Sequence, residues 1–600
     1  MRYNAPMVKI PSKDVNLIVS LITPLVLYGW IAFLCALFAV FYAPLIWGLW
    51  IVAISILIYT KKLQFPKPSL SLGLLLIASL CISIGVALIA EPSVFGGRDQ
   101  GSISDAAFLL SKNGTILHSS PEATAFAQIY GAGQALNFPG FHYTVRGELY
   151  PQFPLPYIAF LAGFVSLFGI AGYLVANAIL TFFFLFLSTN CLRLLISSRA
   201  AWWFFALLVT SFPVLWFAKF TLSENLAAAL VWSAITLILL LRDHAKLHLI
   251  YLTLATAALL FFTRIEGLWL APILLYTLWE IPQCKKFLLQ NSWYRIWMPS
   301  IIFSVIGLTT LIMSTPFYKT VIGAIIPKKI TSFFTGEVTN TSSNFSFLND
   351  FTNFLMPTYL AYGLFIPLIT TAIVVIYFLH KRLRHPFIVL IGISAPLFLY
   401  FIDPQISSDH PWMLRRFVWI LLPITLGATV LGASLLIKRR GNDTTRSFST
   451  NAQVFLSAVI ILNLLSTAKF ILYAPNASLL EQTQLIAQKF GPNDLILLSP
   501  EVTGDGWSMI DVPLRNFFDR KAIYFFNQND YNNLDTSTFE NVFLITANNG
   551  TINYTDLTQN ASIIDTFTIH ANRLSKEVDV FENLPVVTPV TIQNTIYQLK

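Results

Sequence analysis

Asp99 is the residue in this sequence best placed for proton transfer. It lies in Gly96-Gly-Arg98-Asp99-Gln-Gly-Ser-Ile-Ser-Asp105, just past Ala90, where the chain turns from apolar to polar. A carboxylate at the edge of a low-dielectric layer is costly to keep charged, and its pKa rises toward the range useful to a general base. Gly96, Gly97 and Gly101 would let backbone come close to a ligand. Asp105 has a plainer expectation: with Ser102 or Ser104 it would cap a short helix over 105–111.

A second acid and several cations recur at comparable junctions between apolar and polar sequence. Glu224, in Thr221-Leu-Ser-Glu224-Asn225, could join Asp99 or simply complement a helix N-terminus. Arg264-Ile-Glu266 places two charges between apolar runs, where they must pair with each other or hold a ligand. Asp409-His410-Pro411-Trp412-Met-Leu-Arg415-Arg416 opens a later apolar run. Its two arginines suit an anion, or could snorkel beside Trp412, and His410 could assist. Arg98 and Lys219 complete the candidate substrate contacts. His142 and Tyr143 could stack on a ring, although aromatic residues are common near interfaces.

The elements that must hold these residues are membrane helices. The chain has 600 residues, of which 56% are hydrophobic and 11% charged, against roughly a quarter charged in soluble domains. Apolar runs long enough to cross a hydrocarbon layer recur along it, so a polytopic α-helical membrane protein is expected. The first apolar run leads into a second without a small-residue cleavage site and is expected to be kept as an anchor. The net charge of +9 is spread over short basic loops, around Lys61/Lys62, Arg193/Arg199, Arg242/Lys246 and Lys381/Arg382. That is a topological signal, not a nucleic-acid footprint.

Threading by those loops predicts about 13 spans, near 17–38, 40–60, 69–90, 172–192, 200–218, 224–241, 247–263, 267–282, 297–315, 356–379, 386–402, 414–437 and 451–473. The segment 154–169, broken by Pro154 and Pro156, is expected to lie at the interface within an outer loop over 91–171. The N-terminus then falls in the cytoplasm and the C-terminus outside. Asp99, Glu224, Arg264, Glu266, Arg415 and Arg416 all fall on one face. Beyond 474 the composition shifts toward Asn, Asp and Thr. An amphipathic helix over 478–490 and short β-rich runs at 494–498, 522–526 and 541–546 predict an extracytoplasmic α/β domain over 474–600, beside a membrane domain over 1–473.

The segment Asp99-Gln-Gly-Ser-Ile-Ser-Asp-Ala-Ala-Phe-Leu-Leu-Ser-Lys-Asn-Gly-Thr-Ile resembles the first outer loop of GT-C glycosyltransferases, the superfamily of the protein O-mannosyltransferases and the lipid A aminoarabinose transferase. Tyr150-Pro-Gln-Phe-Pro-Leu-Pro-Tyr157 matches that group's Pro-rich entry to an interfacial helix, and Thr221-Leu-Ser-Glu224-Asn225 matches its second acidic position. The resemblance covers roughly 69–285. It departs in having two additional spans before the Asp99 loop and Glu, where Asp is commoner, at 224. It implies a GT-C-like catalytic domain that moves a sugar from a polyprenyl-phosphate donor to a glycan, lipid or protein acceptor with inversion. Asp99 would be the base, Glu224 a second acid, and Arg98, Lys219, Arg264, Glu266, His410, Arg415 and Arg416 the substrate contacts.

The chain carries no Walker loop and no HExxH. Cys35, Cys81, Cys191 and Cys284 lack metal-ligand spacing, and no cofactor is implied, although some members of the superfamily use a divalent ion. A transporter or lipid flippase is the alternative class. It would call for ionisable residues within the spans, and the sequence instead concentrates them at span ends.

Overall fold

The computed structural model describes residues 11–244, 246–282, 285, 356–382, 385–401, 411–436, 449–574 and 586–599. The expected span 297–315, His410, Cys284 and the loop 316–353 lie outside the described residues.

Three long apolar helices open the chain: α1 (Ser12–Leu37), α2 (Ala43–Tyr59) and α3 (Leu70–Leu88). On α2 only Ile46 is buried, while Ile51, Val52 and Ile56 are exposed. A helix apolar on its outer side fits hydrocarbon and not water. Then come α4 (Asp99–Asn113), α5 (Pro121–Tyr130) and a three-stranded antiparallel sheet of β1 (Gly133–Gln134), β2 (Phe141–Tyr143) and β3 (Leu149–Pro151). The bundle continues with α6 (Leu155–Phe168), α7 (Ala171–Leu195), α8 (Ser198–Thr210), α9 (Phe212–Ala218), α10 (Ser223–Asp243), α11 (Leu247–Thr263) and α12 (Gly267–Trp279). After the undescribed stretch come α13 (Met356–Ala361), α14 (Phe365–His380), α15 (Pro386–Ser394), α16 (Arg415–Val418), α17 (Leu421–Leu436) and α18 (Thr450–Phe470).

Among the described residues, five helices are long and apolar enough to cross a membrane, or seven if each of two bent pairs counts as one span, with six shorter apolar helices beside them. This is a multi-pass membrane architecture. The expected spans 200–218 and 414–437 are both broken, by 64° between α8 and α9 and by 63° between 412–418 and α17. Proline accounts for both bends. Pro213 and Pro423 have no N–H to offer the carbonyl four residues back, and their rings clash with it. The carbonyls at the breaks find other donors: Thr467 Oγ1 reaches the Thr210 oxygen at 2.7 Å, and Trp232 Nε1 reaches that of Trp419 at 3.0 Å.

Buried contacts define the two ends of the bundle. At one end Asp14 accepts from Ser69 N at 2.9 Å and lies 3.5 Å from Arg193 Nη1. The starts of α1 and α3 and the end of α7 therefore lie together, and the end of α3 and the start of α7 lie at the opposite end. Since α6 connects two points at that second end, it makes no net crossing. It is not exposed on a surface, however: Leu155–Val165 are buried, and the helix packs against α4, α1 and α7.

The C-terminal domain begins with α19 (Leu479–Ala487) and contains β4 (Leu495–Leu498), α20 (Asp511–Phe518), β5 (Lys521–Tyr524), β6 (Val542–Ala547), β7 (Ser562–Leu574) and β8 (Val587–Leu599). Its sheet order is β5-β4-β6-β8-β7. The three expected apolar runs form the parallel half, fully buried along β4. The antiparallel β7–β8 hairpin is an addition that no apolar run in the sequence marks.

Candidate functional site

Asp99 is the first residue of α4, and the helix extends to Asn113 with Gly114 left-handed at its C-terminus (φ 73°). The expected helix start at Asp105 is corrected accordingly. Asp105 lies mid-helix, 2% exposed, and accepts from Arg515 Nη2 at 2.9 Å and Asn516 Nδ2 at 2.8 Å. It docks the C-terminal domain and caps nothing. The expectation that the neighbouring glycines admit a ligand is also corrected, because protein fills their space. Gly96 pairs with Met509 in an antiparallel bridge. A Cβ on Gly97 would lie 2.5 Å from the Gly506 carbonyl, and one on Gly101 would lie 1.7 Å from that of Phe95.

The start of α4 is tied to the start of α10. Thr221 Oγ1 donates to the Gln100 carbonyl at 2.8 Å and contacts Ser104 Oγ at 2.8 Å, while Tyr173 donates to the Ser104 carbonyl at 2.7 Å. Asn225 Nδ2 reaches the Phe220 carbonyl at 2.8 Å, fixing the turn that carries Glu224.

Six of the candidates form one chain of charge. Asp99 Oδ2 lies 2.5 Å from Arg415 Nη1, and Arg415 Nε lies 3.8 Å from Glu224 Oε1. Glu224 Oε1 is 2.7 Å from Arg264 Nη1. Arg264 grips Glu266 through two bonds, Nε to Oε2 at 2.9 Å and Nη2 to Oε1 at 2.8 Å, the bidentate fork that makes arginine–carboxylate pairs strong. Glu266 Oε1 also accepts from Arg416 Nη1 at 3.0 Å and from the Tyr400 hydroxyl at 2.9 Å. Arg264 and Glu266 pair with each other, one of the two expectations for them, and belong to a larger cluster.

Three carboxylates meet three guanidiniums, so the charge is balanced. Glu224, Arg264 and Glu266 are almost fully buried, whereas the Asp99 side chain is 36% and that of Arg416 21% exposed. The network is sealed in the middle and open at both ends. Burial alone would raise the Glu266 carboxyl, but Arg264 and Arg416 beside it hold it well below the usual carboxylate range. Among the described residues, the Nε atoms of Arg415 and Arg416 have no hydrogen-bond partner. Tyr400, and Ser223, whose Oγ accepts from Arg264 Nη1 at 3.0 Å, are members that no sequence signal singles out.

The remaining candidates lie elsewhere. Lys219 is buried and donates to the carbonyls of Ile471 at 3.2 Å and Tyr473 at 2.9 Å, so it holds backbone and does not join the network. Burial lowers its amine to about 8 despite the nearby Glu91 carboxylate. Arg98 sits over the rings of Trp412 (4.9 Å) and Trp507 (4.7 Å). His142 stacks on Tyr150 within the small sheet, and Tyr143 is buried. Among the described residues no three His, Cys, Asp or Glu side chains come together to hold a metal ion. Cys35, Cys81 and Cys191 are unbridged.

The fold is that of a polytopic helical membrane protein with an appended α/β domain, carrying a balanced acid–arginine network at the end of the bundle that faces that domain. Among solved structures the chain is similar to ArnT from Cupriavidus metallidurans. Against the apo form the TM-score is 0.47 at 12% identity, covering 87% of this chain and 97% of that one. Against the form bound to undecaprenyl phosphate it is 0.49 at 13% identity, covering 88% and 97%. No protein-family model and no curated protein matches the sequence.

Proposed function

We propose that the protein is an integral membrane glycosyltransferase that moves a sugar from a polyprenyl-phosphate donor to an acceptor hydroxyl. The observation that carries this reading is the Asp99–Arg415 pair. A part-exposed carboxylate shares its contact with a guanidinium whose second acidic neighbour, Glu224, is already held more closely by Arg264. An arriving phosphate would compete for Arg415 and leave Asp99 free to accept a proton. The acceptor oxygen then bonds to the anomeric carbon as its proton passes to Asp99. The bond from that carbon to the phosphate oxygen breaks, and polyprenyl phosphate departs against Arg415 and Arg416. Attack opposite the leaving group inverts the anomeric centre. Arg264, Glu224 and Glu266 keep the two open arginines in place. The reading agrees with the GT-C resemblance of the Asp99 loop.

The basic residues Lys61, Lys62, Arg199, Arg242, Lys246, Lys381 and Arg382 lie in or beside loops at the end of the bundle opposite the network. By the positive-inside rule that end is cytoplasmic, which puts the network and the C-terminal domain on the extracytoplasmic side.

The test is to incubate membranes containing the protein with polyprenyl-phosphate sugars of several kinds. Release of free polyprenyl phosphate that disappears in Asp99→Asn is expected. Undiminished release in that variant would remove Asp99 from the role of base.

A further inference from the structure

A cleft of about 250 Å³ lies between the network end of the bundle and the C-terminal domain. Trp216, Trp412 and Tyr473 line one side, Asp505 and Trp507 from the turn after β4 line the other, and Arg98 and Gln100, which flank Asp99 in sequence, line it as well.

Its walls are fixed by other contacts. The Tyr473 ring stacks on Trp216 at 5.7 Å and 5°, with the Tyr473 carbonyl held by Lys219. The Arg98 guanidinium lies between one indole from the bundle and one from the C-terminal domain, so the cleft spans both domains. Arg573, on the far side, is paired with Asp505 at 3.0 Å. Among the described residues, four polar atoms of lining residues are buried without a hydrogen-bond partner: the donors Trp216 Nε1 and Arg573 Nε, the latter ion-paired with Asp505, and the acceptors Gln100 Oε1 and Asn476 Oδ1. Trp216 is only 4% exposed, and an unmet indole N–H that deep is costly unless something fills the site.

Unmet donors and unmet acceptors on the residues that line an aromatic-walled cleft call for a neutral ligand whose groups do both. Hydroxyls do so, and a sugar ring presents hydroxyls at its rim and C–H bonds on its faces. Trp507, 42% exposed, offers such a face an aromatic surface. The volume is below that of sites for drug-sized ligands, which run from about 300 Å³ upward, and suits a single ring.

We propose that this cleft seats a sugar ring of the acceptor, so that the acceptor is a carbohydrate and the C-terminal domain supplies one wall of its site. The role as acceptor rests on the transferase reading, whereas the binding of carbohydrate does not.

Saturation-transfer NMR on the full chain in detergent micelles tests it, with glucose, mannose, galactose and N-acetylglucosamine as probes. At least one sugar is expected to give a transfer signal that falls at least about fivefold in Trp507→Ala and in Trp216→Phe, the latter keeping a ring while removing the N–H. Trp202→Ala, an exposed indole on α8, should leave the signal unchanged. Absence of signal from all four sugars, or a signal that survives both cleft variants, overturns the proposal. The two readings fail separately. If sugars bind but donor release is indifferent to Asp99→Asn, the transferase reading falls and the carbohydrate site stands. If Asp99-dependent donor release is intact but no sugar binds, only the cleft assignment falls.

Discussion

Two clusters of buried charge in this protein use the same residue types and differ in what they leave open. The first runs from Asp99 through Arg415, Glu224 and Arg264 to Glu266 and Arg416, with part-exposed groups at both ends. The second joins Asp105 on α4 to Arg515, Asn516 and Asp511 on α20. There Asp105 is 2% and Asp511 1% exposed, and both Asp105 oxygens are taken. Burial pushes the Asp511 carboxyl up, although Arg515 beside it acts in the opposite sense. Arg515 also lies over the Phe138 ring at 4.8 Å. A closed cluster can only hold two parts together, whereas an open one can exchange a partner. Both draw on one helix, since Asp99 and Asp105 lie six residues apart on α4.

The sharpest separation of the two is expected from Asp99→Asn. It should cost about 10²- to 10⁴-fold in donor consumption, the usual worth of a positioned base, with little change in thermal midpoint because Asp99 is part-exposed. A comparable loss of stability would mean that the open cluster is structural too. Arg515→Ala should do the reverse, destabilising by about 3–5 kcal/mol because it strands Asp105 and Asp511 in a buried site. Calorimetry and protease accessibility of the C-terminal domain would report it, and an unaltered midpoint would remove the distinction. Arg415→Lys keeps the charge and loses the planar fork, so about a tenfold loss in donor consumption is expected, and full activity would show that point charge suffices.

A smaller effect concerns pH. The Lys219 amine titrates near 8 when folded and near 10.4 when unfolded. Between those values the unfolded chain binds the extra proton, so stability should rise with pH across that window. Chemical denaturation at pH 8 and pH 10 should show the rise in the parent and not in Lys219→Met. The smallest change is expected from Lys112→Ala. That residue also links α4 to the C-terminal domain, through Asp519 at 3.2 Å, but both partners are well exposed. A shift within about 1 kcal/mol is expected, and a larger one would mean that the docking is not concentrated in the closed cluster.

The charged residues of the open cluster could be picked out from sequence because each sits at the end of an apolar run, where a charge is conspicuous. Their pairing could not, since Arg415 and Asp99 are brought together only by the crossing of distant helices. Tyr400 carried no mark at all, being one aromatic residue in an apolar run. The local capping rule points Asp105 to a helix start, whereas the partner that uses it lies 410 residues away. The bends at Ser211 and after Val418 depart from the unbroken spans expected over 200–218 and 414–437, although Pro213 and Pro423 mark both places in the sequence. The strands β4, β5 and β6 stood out as buried apolar runs. The hairpin β7–β8 did not, because its exposed face dilutes the apolar pattern.

The bridge between Gly96 and Met509 has a consequence for biosynthesis. During translation the segment carrying Asp99 emerges long before the turn that pairs with it, and so does Arg98 before its second indole. A ribosome-bound or truncated chain that ends before that turn can present the acid but not the assembled cleft. The order of synthesis alone therefore keeps the bundle wall and the C-terminal wall of the cleft apart until the turn at 504–507 has been made.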